Sequence, residues 1–211
     1  VNSPSTGGRV AVAHGSWIFT MGGSYPYWQM VDLVEAAFLS PDGTLSAWQQ
    51  VSTLPVGAGL QDPIPTVIGD DLVVFGGETG NGDTTYSSNI FRAPIRGDGT
   101  LGTWAFVGRT LMPRPHSAYL RYGETIHAVG GGVHAYMTDH VESSLLTEFG
   151  LPDRAVVSAP LPTVRNAPNT VTVGRFGYVL GGNTCPYGGC YPTSVILGLA
   201  LPLYLVTMAS Q

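Results

Sequence analysis

Aromatic side chains gather in four polar stretches where a chain could meet a ligand. Tyr25, Tyr27 and Trp28 stand in the first, Tyr86 in the second, His134 and Tyr136 in the third, and Tyr187 and Tyr191 in the fourth. With Arg114, Arg165 and Asn166 from nearby stretches, they could stack on sugar rings or anchor a peptide, because side chains with an apolar body and a polar tip dominate binding surfaces. The plainer reading of the same tyrosines is that loops pack against one another.

Other reactive groups are sparse. His134, Asp139 and His140 offer imidazole and carboxylate, ligand types that suit zinc or iron, but no fourth ligand accompanies them. Glu78 and Asp83 could meet calcium, yet their spacing matches no EF-hand loop, and solvated turn residues are the expectation. No metal and no cofactor is therefore expected. Cys185 and Cys190 bracket Pro186-Tyr187-Gly188-Gly189, a loop that could close a disulfide if the two Cα atoms come within about 7 Å. Free thiols, or half of a metal site, are the alternatives. An oxidised pair would suggest an extracellular or periplasmic protein. The sequence contains no G-x-S-x-G elbow, and no Ser, His and Asp arrangement can be singled out from spacing. Paired carboxylates for glycoside hydrolysis are defined by separation in space, so none is chosen and no catalytic residue is assigned.

Bulk properties narrow the partners. Only 11% of residues are charged, the net charge is −5, and all nine basic residues are arginine. A phosphate-binding footprint is missing, so nucleic acid is not an expected partner. The modest charge leaves association through uncharged surface physically easy. Hydrophobic residues make 44% of the chain alongside 29 glycines and 16 prolines, which reads as many short strands joined by tight turns. One domain over residues 1–211 is expected from the length. The start Val1-Asn2-Ser3-Pro4 carries no charged-then-apolar signal segment, as in a processed chain or an excised piece, and both permit secretion.

The elements that would position these residues emerge as a repeat. Gly22-Gly23, Gly76-Gly77, Gly130-Gly131 and Gly181-Gly182 recur at spacings of 54, 54 and 51 residues, each after an apolar residue. Seven positions before each doublet stands a further glycine: Gly15, Gly69, Gly123 and Gly174. Between these landmarks lie apolar runs of strand length, with hairpin partners expected at 10–14, 64–68, 117–122 and 170–173. Third strands are expected at 30–39, 88–95, 141–149 and 195–201. Asp42-Gly43 and Asp98-Gly99 then supply turns, and Trp48 and Trp104 open fourth strands. The third repeat keeps only Leu151-Pro152-Asp153-Arg154 at that turn. Four strands per repeat account for the chain without a helix.

A double glycine closing the second strand, a tryptophan in the fourth and about fifty residues per unit resemble the kelch repeat of β-propellers. The likeness implies an all-β, kelch-like β-propeller of four four-stranded blades, over approximately 8–55, 63–111, 116–162 and 167–211. Four blades would form either a complete small ring or part of a larger propeller. With the aromatic stretches and the cysteine pair, the expectation is a non-catalytic secreted propeller that binds protein or glycan, or self-assembles outside the cell. Kelch-like enzymes, including copper radical oxidases and sialic-acid isomerases, supply the alternative of an oxidase or sugar-processing enzyme. The copper type needs a cross-linked Tyr-Cys pair, whereas both cysteines here sit in one short loop.

An open array would expose the apolar faces of its end blades and drive homo-oligomerisation. The stretch 195–206 is almost wholly apolar around Pro202, and no charged residue follows Arg175. It is shorter than the roughly 20 residues of a spanning helix, so a membrane is not the expected partner. Burial against the same chain or docking of another subunit would cover it.

Overall fold

Short runs of alternating or continuous apolar residues between glycine turns give strands and nothing else. The computed structural model describes residues 7–25, 29–80, 85–113, 115–123, 125–132, 137–146, 152–158, 160–184 and 191–200, and these contain no helix. The chain divides into two units, Val1–Pro115 and His116–Gln211.

In the first unit, β1 (Gly7–His14), β2 (Trp17–Tyr25), β3 (Gln29–Met30), β4 (Leu33–Phe38) and β5 (Gln49–Thr53) make the first sheet. Its order is β1-β2-β4-β5, with β3 beside the end of β2. The second sheet uses β6 (Ile64–Ile68), β7 (Asp71–Phe75), β10 (Asn89–Pro94) and β11 (Ala105–Arg109), in that order. Between them in sequence, β8 (Glu78–Thr79) and β9 (Thr85–Tyr86) form a separate ribbon.

In the second unit, the third sheet runs β12 (Ala118–Tyr122), β13 (Thr125–Val129), β14 (Val141–Leu146) and β15 (Pro152–Val157). The fourth contains β16 (Asn169–Val173), β17 (Phe176–Leu180) and β20 (Ile196–Ala200). A second ribbon pairs β18 (Asn183–Thr184) with β19 (Tyr191–Pro192). All these pairings are antiparallel. The fourth strand expected in the last repeat falls at residues outside those described.

Burial follows position in the sheet. Second strands carry the core, because a strand flanked on both sides and covered on its face loses most contact with water. Phe19, Met21, Val34 and Ala36 of the first sheet pack with Leu72, Val74 and Ala93 of the second, joined by Leu54, Leu60 and Leu101. Each large side chain so buried contributes about 1.5–3 kcal/mol against the entropy of ordering it. In the second unit, Leu120, Val129 and Val141 meet Val179, Leu161, Leu197 and Leu199. Thr170 and Thr172 on β16 donate their hydroxyls to Tyr119 O and Arg121 O, at 2.6 and 3.2 Å, tying the fourth sheet to the third.

The doublets owe their composition to two constraints at once. Gly22 and Gly23 have φ of +65° and +96°, and Gly130 and Gly131 of +61° and +94°, a left-handed pair that other residues adopt at a cost. The incoming chain also lies against them. Gly23 N–H donates to Leu60 O at 2.8 Å and Gly131 N–H to Arg165 O at 2.7 Å. A Cβ on Gly22 or Gly130 would collide with those same two carbonyls.

The two Asp-Gly turns share one geometry. Asp42 Oδ1 accepts from Thr44 N–H and Oγ1–H, at 3.0 and 2.7 Å, and Asp98 Oδ1 accepts the same pair from Thr100. Leu39 bridges Leu45 and Ile95 bridges Leu101 across these turns. Trp104, after the second turn, is half-buried and donates Nε1–H to Ser52 Oγ of the neighbouring sheet at 2.9 Å.

The first expected third strand is interrupted. Val31 and Asp32 leave the ladder because Val31 N–H turns to Gly23 O, while Val31 O accepts from Leu60 N–H. The incoming segment thereby takes the place of a strand partner.

Candidate functional site

The ribbon β8–β9 projects from the second sheet because Ser87 N–H is held by Gly77 O, and Gln61 and Glu78 exchange both backbone bonds, at 2.9 and 2.8 Å. Beside it opens a groove of about 350 Å³ in the first unit. Thr79, Thr85 and Tyr86 line it from the ribbon, Ser87 to Asn89 and Phe91 from the approach to β10, Arg109 from β11, and Pro55 and Val56 from the segment after β5.

Local register places the polar groups. Asn89 is the cross-strand partner of Arg109, and Arg109 Nε–H donates to Asn89 Oδ1 at 3.1 Å. The Arg109 guanidinium carbon also lies 5.7 Å from the centre of the Phe106 ring. Phe106 in turn meets Phe91 edge-on, with ring centres 6.0 Å apart. The cation is thus oriented by an amide and an aromatic face rather than waving free. The Thr79 and Thr85 hydroxyls hydrogen-bond each other at 2.8 Å. Tyr86 is 39% exposed, leaving a ring and a phenol available. An exposed ring beside hydroxyls, an amide and a guanidinium can hold a polar ligand with apolar patches, such as a saccharide or a turn of peptide.

The other residues singled out from sequence are scattered in character. Tyr25 is half-buried at the end of β2, opposite Gln29. Tyr191 is 61% exposed on β19. Arg165 and Asn166 are buried and tie the chain together. Arg165 O accepts from Gly131 N–H, Asn166 exchanges backbone bonds with Asn183, and its Nδ2–H donates to Gly132 O. Both are therefore held in the join between connection and doublet. Tyr27, Trp28, Arg114, His134, Tyr136 and Tyr187 lie outside the described residues, as do Cys185 and Cys190.

Among the described residues no three His, Cys, Asp or Glu side chains cluster as metal ligands. His140 Nε2 stands 3.9 Å from Asp139 Oδ1, while His134 lies outside the described set. Glu78 is buried on β8, and Asp83 is also outside that set. Among the described residues no helix is long and apolar enough to cross a membrane.

Three features had no counterpart in the sequence reading. Asn89 and Arg109 face each other only once β10 and β11 are paired through a bulge after Ile90. A second cleft in the first unit, of about 470 Å³, lies at the hairpin end of the strands. There His14 Nε2 is 3.2 Å from Asp70 Oδ1, and Trp17 Nε1–H donates to Gly97 O. The Trp17 ring is already used, since Gly99 lies on its face and Phe38 on its edge.

The third is His127 in the second unit, fully buried on β13 and paired across the sheet with Leu120 and Ser143. Its Nδ1 is 2.8 Å from Ser143 Oγ, which is bonded onward to Ser158 Oγ. Nε2 meets no hydrogen-bond partner among the described residues. Burial lowers the imidazole pKa from 6.5 to about 4, so the ring is neutral at pH 7.

No family model matches the chain, and no curated protein matches it. Among solved structures, that of YjhT is similar, with a TM-score of 0.70 over 95% of this chain and 68% of YjhT, at 13% identity. At that identity the likeness speaks to fold alone, and it makes this chain an all-β protein of propeller-like architecture built from several small antiparallel sheets.

Proposed function

We propose that the chain is a divergent kelch-type propeller that binds a protein or glycan outside the cytoplasm, without itself catalysing a reaction. In this reading the four glycine-anchored sheets are blades of a single domain, and an oxidised Cys185–Cys190 pair suits an extracellular or periplasmic setting. The observation that supports binding is the groove at Tyr86. An exposed tyrosine, paired threonine hydroxyls, and an Arg109 already aligned by Asn89 and Phe106 share one opening. Pre-aligned polar groups lose little freedom when a ligand arrives, so more of the contact energy appears as affinity.

Glycans are favoured over protein for this groove, because a ring face flanked by hydroxyl, amide and guanidinium groups matches the alternating apolar and hydroxylated faces of a sugar. Labelled protein on a glycan microarray, followed by calorimetric titration of the best oligosaccharide, tests this. Tyr86→Ala and Arg109→Ala are each expected to weaken binding about tenfold or more, with unchanged urea midpoints. Equal binding by both variants would remove the groove from the function. Turnover of the bound sugar by the parent protein would instead favour a sugar-processing enzyme.

A further inference from the structure

The cleft at the hairpin end of the first unit is built by two neighbouring sheets. His14 ends β1, Asp70 sits in the turn between β6 and β7, and Arg96 follows β10. Asp70 O accepts from Ile95 N–H at 2.7 Å, so the last two turns are fixed to each other. Trp17, Phe38 and Ile95 supply an apolar wall. Trp17 is locked in place by its bond to Gly97 O and by the Phe38 ring 5.2 Å away, so the wall is set before any ligand arrives.

The repeat shows that the fold does not call for the polar groups. One position before the turn glycine, where the first repeat has His14, the others carry Ile68, Tyr122 and Val173. Arg96 N–H bonds Thr100 O just as Ser40 N–H bonds Thr44 O, so a serine serves the same turn in the first repeat. Both charges also keep bonding capacity. The Asp70 side chain is 89% exposed, with Oδ1 3.2 Å from His14 Nε2 and Oδ2 unpartnered among the described residues. Arg96 spends only Nη1, on Leu101 O at 2.6 Å and Thr100 Oγ1 at 3.4 Å. Asp98 on the same turn also feels the Arg96 charge, but its Oδ1 is already held by Thr100.

An open carboxylate and an open guanidinium beside one apolar wall match a molecule with an ammonium, a carboxylate and an apolar middle. We propose that this cleft is a second binding site, for a zwitterion of amino-acid to dipeptide size with an apolar side chain. Its ammonium meets Asp70, its carboxylate meets Arg96 in a charge-assisted pair, and its side chain lies against Phe38 and Ile95. The volume of about 470 Å³ falls within the range of about 300–1,000 Å³ usual for small-molecule sites. β10 runs from Asn89 at the Tyr86 groove to this cleft just past Pro94, so roughly 20 Å separates the two. The cleft is therefore independent of the groove and survives if the groove binds nothing.

Nuclear magnetic resonance tests it, with the Trp17 indole N–H as reporter, assigned through Trp17→Phe. Dileucine with free ends is expected to shift that signal saturably at millimolar concentration or below. Acetylating its amine or amidating its carboxylate is each expected to weaken binding about tenfold or more. Asp70→Asn is expected to weaken the free dipeptide as much, with no further loss on acetylation, and Arg96→Gln likewise with no further loss on amidation. Tyr86→Ala is expected to bind as the parent does. Should either charge variant move the other indole signals, its turn has changed, and the blocked dipeptides on the parent protein decide alone. Absence of a saturable shift, equal binding of the doubly blocked dipeptide, or full binding by either charge variant would overturn the proposal. So would loss of binding in Tyr86→Ala, which would put the dipeptide in the groove.

Discussion

Among the described residues, His127 is the one whose ionisation its surroundings shift furthest. With the ring proton on Nδ1, it donates to Ser143 and leaves at Nε2 an unpaired lone pair, a smaller loss than an unpaired N–H bond to a positively charged ring. In the unfolded chain the imidazole takes up its proton near pH 6.5, but in the folded chain only near pH 4. The unfolded state thus binds more protons between those values, and stability falls as pH drops through that window and levels off below it. The loss amounts to about 3 kcal/mol, from a shift of roughly two and a half units. Urea midpoints at pH 7.5 and 4.5 measure this. His127→Leu is expected to flatten the pH slope, and an unchanged slope would locate the sensitivity elsewhere. Asp42 and Asp98 act on a lower range. Hydrogen bonds from Thr44 backbone and Thr100 side chain hold their carboxyls below the usual value of 3.8, so their turns weaken only in stronger acid.

At the scale of elements, Trp104 links two sheets that no backbone ladder joins. It packs against the first unit's core and reaches Ser52 across the gap. Trp104→Ala is expected to cost about 3–5 kcal/mol, while Trp104→Phe, which keeps most of the packing and loses the bond to Ser52, should cost markedly less. Chemical denaturation of both variants distinguishes packing from the hydrogen bond, and equal losses would assign the role to the bond. These elements were largely legible beforehand, since the hairpins at Gly15, Gly69, Gly123 and Gly174 and the strands beside them lie within a residue or so of where periodicity put them, apart from β1 and β2, which run three to four residues longer. The ribbons β8–β9 and β18–β19 were not, because two-residue strands leave no period to read. The groove was hidden for a related reason: Asn89 and Arg109 are twenty residues apart and meet through a bulged register that no local pattern encodes. Arg165 and Asn166 looked like ligand groups because polar residues in a connection usually face water. Here Arg165 supplies the carbonyl that Gly131 N–H of the doublet meets, and the Asn166 side-chain amide donates to Gly132 O just after it.

At the scale of the whole molecule, the acid-sensitive groups among the described residues are divided between the two units. His127 sits in the second, and the Asp-Gly turns that persist to lower pH sit in the first. Between pH 6.5 and 4, hydrogen exchange followed by mass spectrometry is expected to show protection falling in Ile126–Val129 and Val141–Ser144 before it falls in Phe19–Met21. Repeat arrays draw stability from nearest neighbours, so a local penalty need not spread through the chain. Simultaneous loss in both segments would show instead that the chain unfolds as one cooperative body.

The fixed seven-residue interval from turn glycine to doublet makes each second strand a ruler. One end is set by the hairpin and the other by the incoming carbonyl that the doublet must admit, so adding or deleting a residue in between would misplace one end. Variation in repeat length, 54 residues twice and then 51, is accordingly confined to the remaining segments. For anyone wishing to graft an epitope or a probe, the solvent-facing corner at Asp42-Gly43 is where extra length can be inserted while the calibrated spans stay intact, whereas the corner at Asp98 is held against Trp17 through Gly97 and Gly99.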